Sequence, residues 1–470
     1  MKYLQRVLLW GLVAAASPSA AAEPWEERTP ALGAAGLTVS GDLSAEELAT
    51  LRLIGEELFK ARFTRLDGAG RPGATQAIVP TKRRHPVASE FSRTAGLDAN
   101  SCASCHNMPV AGGAGDFVTN VFVSEGFESA DFDTTDPQFS NERGTNHLFG
   151  SGLVELLARE MTLDLQAARD AALEKAARSG ESQRVPLSSK GVDFGWLTVH
   201  PDGIVDLEDL DGVDMDLVIR PFTQKGVMTS LRQFSVNAMN QHHGMEASER
   251  FGSRWTGTAD FDDDGAADEM SDGDISALVA WQAGLPAPVR ITPENEPWRI
   301  LAKEGEQVFD KLGCASCHRP SLPLKSLSFA DPGPSDVAGT LNDAQVEQVA
   351  TYDLALLEWT KTLPRNEKGE VLVPLYGDLK RHVITDNSVE QLGNELLAQR
   401  FVDRNIFMTA ELWGIASTEP YGHRNDITTM DEVIRAHGGA ARTPRDAYIA
   451  ASEDDRNRII AFLKTLVITP

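Results

Sequence analysis

The stretches SCASCH (residues 101–106) and GCASCH (residues 313–318) contain all four cysteines of the chain, and in each the second cysteine is followed directly by a histidine. With ten histidines in 470 residues, chance placement of one after both cysteine pairs is improbable. The spacing has a chemical reason. On a helical turn, residues i, i+3 and i+4 share a face, so Cys102 and Cys105 can both form thioethers to one porphyrin edge while His106 projects to the iron. Cys314, Cys317 and His318 repeat the set. A Cys-x-x-Cys-His run is the attachment signal of c-type haem. The rival uses fit less well: a zinc ion wants four ligands, a redox dithiol needs no histidine, and a disulfide within Cys-x-x-Cys is strained. The expectation is two covalently bound haem c groups, held through the four cysteines, with His106 and His318 as proximal iron ligands. No thiol is then left for cysteine-based catalysis.

Outward from the motifs, the length sets the organisation. A chain of 470 residues exceeds what one hydrophobic core usually supports, so two domains are expected. Residues 1–22 read as a signal peptide: Lys2 and Arg6 precede an apolar run shorter than the roughly 20 residues of a membrane span, and small residues follow towards a cleavage point near Ala22. No later segment is long and apolar enough to span, which points to a periplasmic protein with no membrane span after cleavage. The formal charge of −25 disfavours nucleic acid and anionic membranes as partners. It suits a basic electron carrier, and it equally suits simple solubility.

The expected fold is mainly α, with two cytochrome c-like haem domains, residues 42–290 and 298–470, and a small β-containing insert in the first. Helical patterns run through residues 42–63, 148–173, 229–241, 303–313 and 452–466. Residues 180–216 alternate apolar and polar side chains around glycines and read as a hairpin or small sheet. The proline-bearing segment LPAPVRITPENEP, residues 285–297, is the expected domain boundary.

A haem iron held by a motif histidine has a sixth position, and that position decides function. A filled site passes electrons; an open one can bind peroxide or dioxygen. Four further segments bear on it: NERGTNHLFGSGLVELLAREM (141–161), IRPFTQKGVMTSLRQFSVNAMNQHHGM (219–245), LYGDLKRH (375–382) and TAELWGIASTEPYGHRNDITTMDEVIRAHGGAA (409–441). Together with the two motifs, and in this order, they resemble the di-haem oxidoreductase family, also labelled thiol oxidoreductases, which is related to bacterial di-haem cytochrome c peroxidases.

The resemblance implies a distal ligand for the C-terminal haem at His437, where the peroxidases carry a methionine. That would make a bis-histidine centre of lower potential. The family's His-Asp-Gly stands here as His423-Arg424-Asn425, so no role passes to the missing Asp. The run SLRQFSVNAMNQHHGM resembles TMDEVIRAHGG and brings Met239, His242, His243 and Met245 to the N-terminal haem. His242 or His243 is then a distal ligand or an acid/base, the alternative being two surface histidines. Glu155 is the carboxylate expected to move a proton in the distal pocket, as O–O cleavage requires; an ordinary helix glutamate is the other reading. His147 is a further candidate.

Asp260, Asp262, Asp264 and Asp268, with Gly265 at the turn, match the first half of a calcium loop. Its twelfth position is Ser271 where a bidentate Glu is usual, with Glu269 and Asp272 adjacent, and a solvated acidic loop is the alternative. Trp196, Trp255, Trp281, Trp359 and Trp413 read as core residues, any one of which could relay electrons, and Met408 and Met430 read as packing. The expected activity is that of a peroxidase-like haem oxidoreductase. A soluble donor such as a small cytochrome or cupredoxin feeds the C-terminal haem, and a small oxidant or organic substrate reacts at the N-terminal one. The direction of flow follows the resemblance. A non-catalytic electron-transfer cytochrome, an oxygenase acting on an apolar substrate and a thiol oxidoreductase are the rivals.

Overall fold

The computed structural model describes residues 25–29, 32, 39–93, 96–97, 99–116, 118–123, 140–337, 339–393 and 402–469. The leader expected at residues 1–22 lies outside them. The helices longer than six residues, or carrying a site residue, are α1 (Ala45–Lys60), α2 (Ser151–Ser179), α3 (Leu231–Ala238), α4 (Asp272–Ala283), α5 (Glu296–Lys311), α6 (Met430–Arg435), α7 (Arg442–Ala450) and α8 (Glu453–Leu463).

Two helix crossings position the haem motifs. Helix α1 begins at a capping box between Ser44 and Glu47, and it buries Leu48, Leu51, Gly55, Leu58 and Phe59 along one stripe. It meets α4 at Gly55, where an added Cβ would stand 1.9 Å from the carbonyl oxygen of Ala277. Only hydrogen fits there, and its absence of bulk lets Phe59 pack on Trp281 with ring centres 4.3 Å apart. Helix α5 meets α8 in the same way: a Cβ on Gly305 would stand 1.9 Å from the carbonyl oxygen of Arg458, and Phe309 meets Phe462 edge-on at 5.5 Å. Helix α4 is buried on every side. It therefore lacks an amphipathic period, and the sequence reading passes over it.

The insert forms as expected. Residues Gln183–Ser189, Val192–Val199 and Val205–Asp206 make a three-stranded antiparallel sheet. Helix predominates as expected, at 38% of the described structure against 15% strand, but strand is not confined to the insert. Short antiparallel pairs occupy what reads as loop: Leu322–Leu324 with Val371–Val373, Ser328–Asp331 with Ala350–Asp353, and Arg381–Val383 with Ile406–Met408. Strands of three or four residues are too short for alternation to stand out.

The expected split at residues 285–297 is crossed by the packing. The larger core unites α1, α2, α4 and the insert with Leu322, Leu324, Phe329, Tyr352, Leu354, Val373 and Leu375, and Gly41–Asp42 pairs in parallel with Ala350–Thr351. A smaller core gathers Phe309, Tyr376, Tyr421, Met430, Tyr448 and Phe462. Among the described residues, no helix is long and apolar enough to cross a membrane.

Candidate functional site

Each motif folds as a short helical turn. The His106 amide donates to the Cys102 carbonyl at 3.0 Å, and the His318 amide to the Cys314 carbonyl at 3.1 Å. The helix before each turn lays an aromatic ring by the histidine: Phe59 is 6.0 Å from His106 and Phe309 is 6.3 Å from His318. All four cysteines are free thiols. Both motifs open into one cavity of about 480 Å³.

At the C-terminal motif a second imidazole faces the first. His437 follows α6, which is capped by Thr429 and Glu432, and its ring centre is 6.4 Å from that of His318. An imidazole nitrogen sits about 1.1 Å from its ring centre and bonds a metal at about 2.0 Å, so two rings that shared one ion from opposite sides would have centres about 6.2 Å apart. The other ring nitrogens are engaged. His437 Nδ1 donates to the Val433 carbonyl at 2.7 Å and His318 Nδ1 to the Tyr376 carbonyl at 3.3 Å. Such a bond fixes the tautomer and presents Nε2 to a metal. Burial, reinforced by His437, pushes the His318 imidazole down to about 4, and burial also lowers His437. Both rings are thus neutral, the form iron binds. The residues fit a haem held by Cys314 and Cys317 with His318 and His437 on its two faces.

The N-terminal motif shares the first half of this arrangement. His106 Nδ1 donates to the Asn146 carbonyl at 2.9 Å, and burial lowers its imidazole to about 4. The charge of His106 bears on His147, the imidazole next to its Asn146 partner. His242 and His243 line the cavity on this side, as do Met239 and Gln241. Yet His243 Nδ1 donates to the Ala99 carbonyl at 2.6 Å, and its Nε2 lies 3.5 Å from Cys102 Sγ. As at His318 and His437, a carbonyl on Nδ1 leaves Nε2 turned to the motif side.

Glu155 does not stand where the sequence reading places it. It is 1% exposed and lies behind the cavity wall, accepting from the Leu231 amide at 2.8 Å and pairing with Arg159 at 2.5 Å. Burial lifts its carboxyl to about 7 despite Arg159. Its role is to anchor the start of α3, because a helix N-terminus leaves amides without partners. His147 does line the cavity, and its Nε2 donates to the Trp413 carbonyl at 3.2 Å. That bond completes a thread between the motifs. From Asn146, the partner of His106, the next residue reaches Trp413, whose amide donates to Leu375 beside Tyr376, the partner of His318. Trp281 and Trp413 are buried as expected, whereas Trp196 and Trp255 are 39% and 43% exposed.

Two groups on the C-terminal side, Glu411 and His382, escape sequence reasoning, and His423 finds its partners only in the fold. Glu411 lines the cavity, and burial raises its carboxyl to about 7. His382 meets Asp378 at 2.8 Å; burial opposes its charge, yet Asp378 and the Cys317 sulfur lift it to about 9. Cys317, Asp378 and His382 could also hold a metal ion, but that set would leave Cys314, His318 and His437 unused. His423 stacks on Phe407 at 3.5 Å with Nδ1 on the Leu392 carbonyl. Its position in the segment Thr409–Ala441 is the one signal that could have found Glu411.

In the acidic loop Asp260, Asp262 and Asp264 do converge, with oxygens within 4.8 Å of one another. Asp268, at φ 51°, is not part of that group.

No protein-family model matches the chain, and no curated protein matches it in sequence. Among solved structures, Kuenenia stuttgartiensis hydrazine synthase pressurised with xenon is similar at a TM-score of 0.38 and 12% identity, covering 99% of this chain and 100% of that one. A MauG-like protein associated with microbial copper homeostasis is similar at a TM-score of 0.29 and 14% identity, covering 57% of this chain and 78% of that one. At these scores the likenesses carry no argument about activity.

Proposed function

We propose that the chain is a periplasmic di-haem c-type oxidoreductase of peroxidase-like character, with unequal centres. The observation that carries this reading is the approach of His437 to His318, ring centres 6.4 Å apart, in the cavity that His106, His242 and His243 also line. Haem bound at the two motifs would supply one-electron chemistry, with a soluble donor such as a small cytochrome or cupredoxin and a small oxidant as the partners. The protein's part is positional. Cys314, Cys317, His318 and His437 would hold the C-terminal group and suit it to electron passage. Cys102, Cys105 and His106 would hold the N-terminal one, and the cavity wall there offers His242 and His243 as groups able to hold or move a proton. Carbonyls of Asn146, Tyr376 and Val433 fix the tautomers of His106, His318 and His437. The hydrogen-bonded thread through His147 and Trp413 supports communication between the two sites.

The test is a titration of oxidised and half-reduced protein with hydrogen peroxide, followed by absorption and electron paramagnetic resonance. A high-spin signal that disappears on peroxide addition is expected. Two low-spin signals that ignore peroxide would replace the enzyme with an electron-transfer cytochrome.

A further inference from the structure

The acidic loop closes on a residue outside its own sequence pattern. Glu246 lies just beyond the His242–His243 turn, and its side chain meets Asp262 and Glu269, the three offering oxygens within 4.8 Å of one another. Each carboxylate is fixed by one oxygen. Glu246 Oε2 accepts from the Phe261 amide at 3.0 Å, Asp262 Oδ1 from the Asp264 amide at 3.2 Å, and Glu269 Oε2 from the Glu246 amide at 2.6 Å. The second oxygen of each, Glu246 Oε1, Asp262 Oδ2 and Glu269 Oε1, is buried and has no hydrogen-bond partner. The three residues are 7%, 0% and 6% exposed. Gly68 closes over them: a Cβ there would stand 2.3 Å from Glu269 Cδ.

Three converging buried carboxylates that each leave one oxygen without a partner are costly without a cation or protons. Lys82, whose charge is felt at Glu246, is committed at the rim to exposed Asp263 at 2.8 Å. We propose that Glu246, Asp262 and Glu269 form the inner ligands of a calcium site. The donors are all hard oxygens, which excludes metals that favour nitrogen or sulfur. Asp260 and Asp264, grouped with Asp262 within 4.8 Å, extend the set on one side. Many carboxylate oxygens in an irregular loop suit the six to eight ligands of calcium better than the near-ideal octahedron and retained waters of magnesium. Burial, with neighbouring carboxylates adding to it, lifts Asp262 to about 8 and Glu246 to about 7 and raises Glu269 strongly, as expected of a cluster that takes up protons when no cation is bound. Bound there, calcium fastens the loop at residues 260–269 to the segment that follows the His242–His243 turn. This inference is independent of the haem reading.

The test is calorimetric titration of the full-length, chelator-treated protein with calcium chloride, paired with thermal unfolding. One site per chain and a raised Tm are expected. Asp262→Asn and Glu269→Gln each weaken binding by on the order of 100-fold, while Asp263→Asn leaves it unchanged. Should Asp262→Asn fail to fold, Glu246→Gln takes its place. No calcium heat and no Tm shift in the wild type would show that the cluster holds protons instead and overturn the proposal, as would equal losses in the Asp263 variant.

Discussion

The helices that lead into the two haem motifs bury the same pair at the same spacing, Gly55 with Phe59 and Gly305 with Phe309, and each crosses a partner helix at its glycine. What lies across the cavity differs. In the C-terminal half a short capped helix leads into His437, whose ring centre lies 6.4 Å from that of His318. In the N-terminal half a π-helical turn, Met239–His243, brings two histidines to the wall, and His243 is engaged with Ala99 and the Cys102 sulfur. A shared crossing thus places the motif histidine in both halves, and a separate element decides what that histidine faces.

The largest test of this comparison removes the attachment points. Cys102→Ser with Cys105→Ser, and separately Cys314→Ser with Cys317→Ser, should each lower the covalent haem count by pyridine haemochrome assay from two per chain to one. An unchanged count in either variant would break the parallel at its root. Next, His437→Ala should convert one low-spin iron to high spin in electron paramagnetic resonance, whereas His243→Ala should remove no low-spin signal. Equal responses would erase the asymmetry.

A third test sharpens the shared crossing. Gly55→Ala and Gly305→Ala each force a carbon to within 1.9 Å of a carbonyl oxygen, and each should cost about 3 kcal/mol in denaturant unfolding. A loss confined to one of them would show that the two crossings are not equivalent. The smallest effect concerns Glu155, which has no counterpart in the other half. Its carboxyl rises from 4.5 to about 7 on folding through burial, with Arg159 opposing, so the folded state binds that proton more tightly than the unfolded. The associated stability is complete below about pH 4.5 and is lost as pH climbs through 7. Glu155→Gln should flatten that part of the profile of unfolding midpoint against pH; an unaltered slope would assign it to another group.

The two Cys-x-x-Cys-His turns, helix α1, the three-stranded insert and the last helix were legible because each carries a local pattern: a fixed motif, a capping box or a clear period. The place of His437 beside His318 was legible only through resemblance, since nothing in AHGG itself announces it. The parallel Gly-x-x-x-Phe pairs were present in the sequence and pass unnoticed, because two residues at one spacing gain meaning only when both helices are seen to cross. Helix α4 has no polar face to reveal its period. Glu155 misled for a different reason. A glutamate near the start of an apolar helix gives no sign of direction, and here it turns to the Leu231 amide instead of the cavity. Glu246 was invisible as a ligand because it lies 16 residues before Asp262, beyond the reach of any loop pattern.

Residues 322–375 return to pack against the first core, which means that neither half is a detachable module. A cut within residues 285–297 would strip apolar neighbours from both sides and leave the fragments clasped together. The spacing between the two Cys-x-x-Cys-His turns is therefore underwritten by side chains drawn from both sides of residues 285–297.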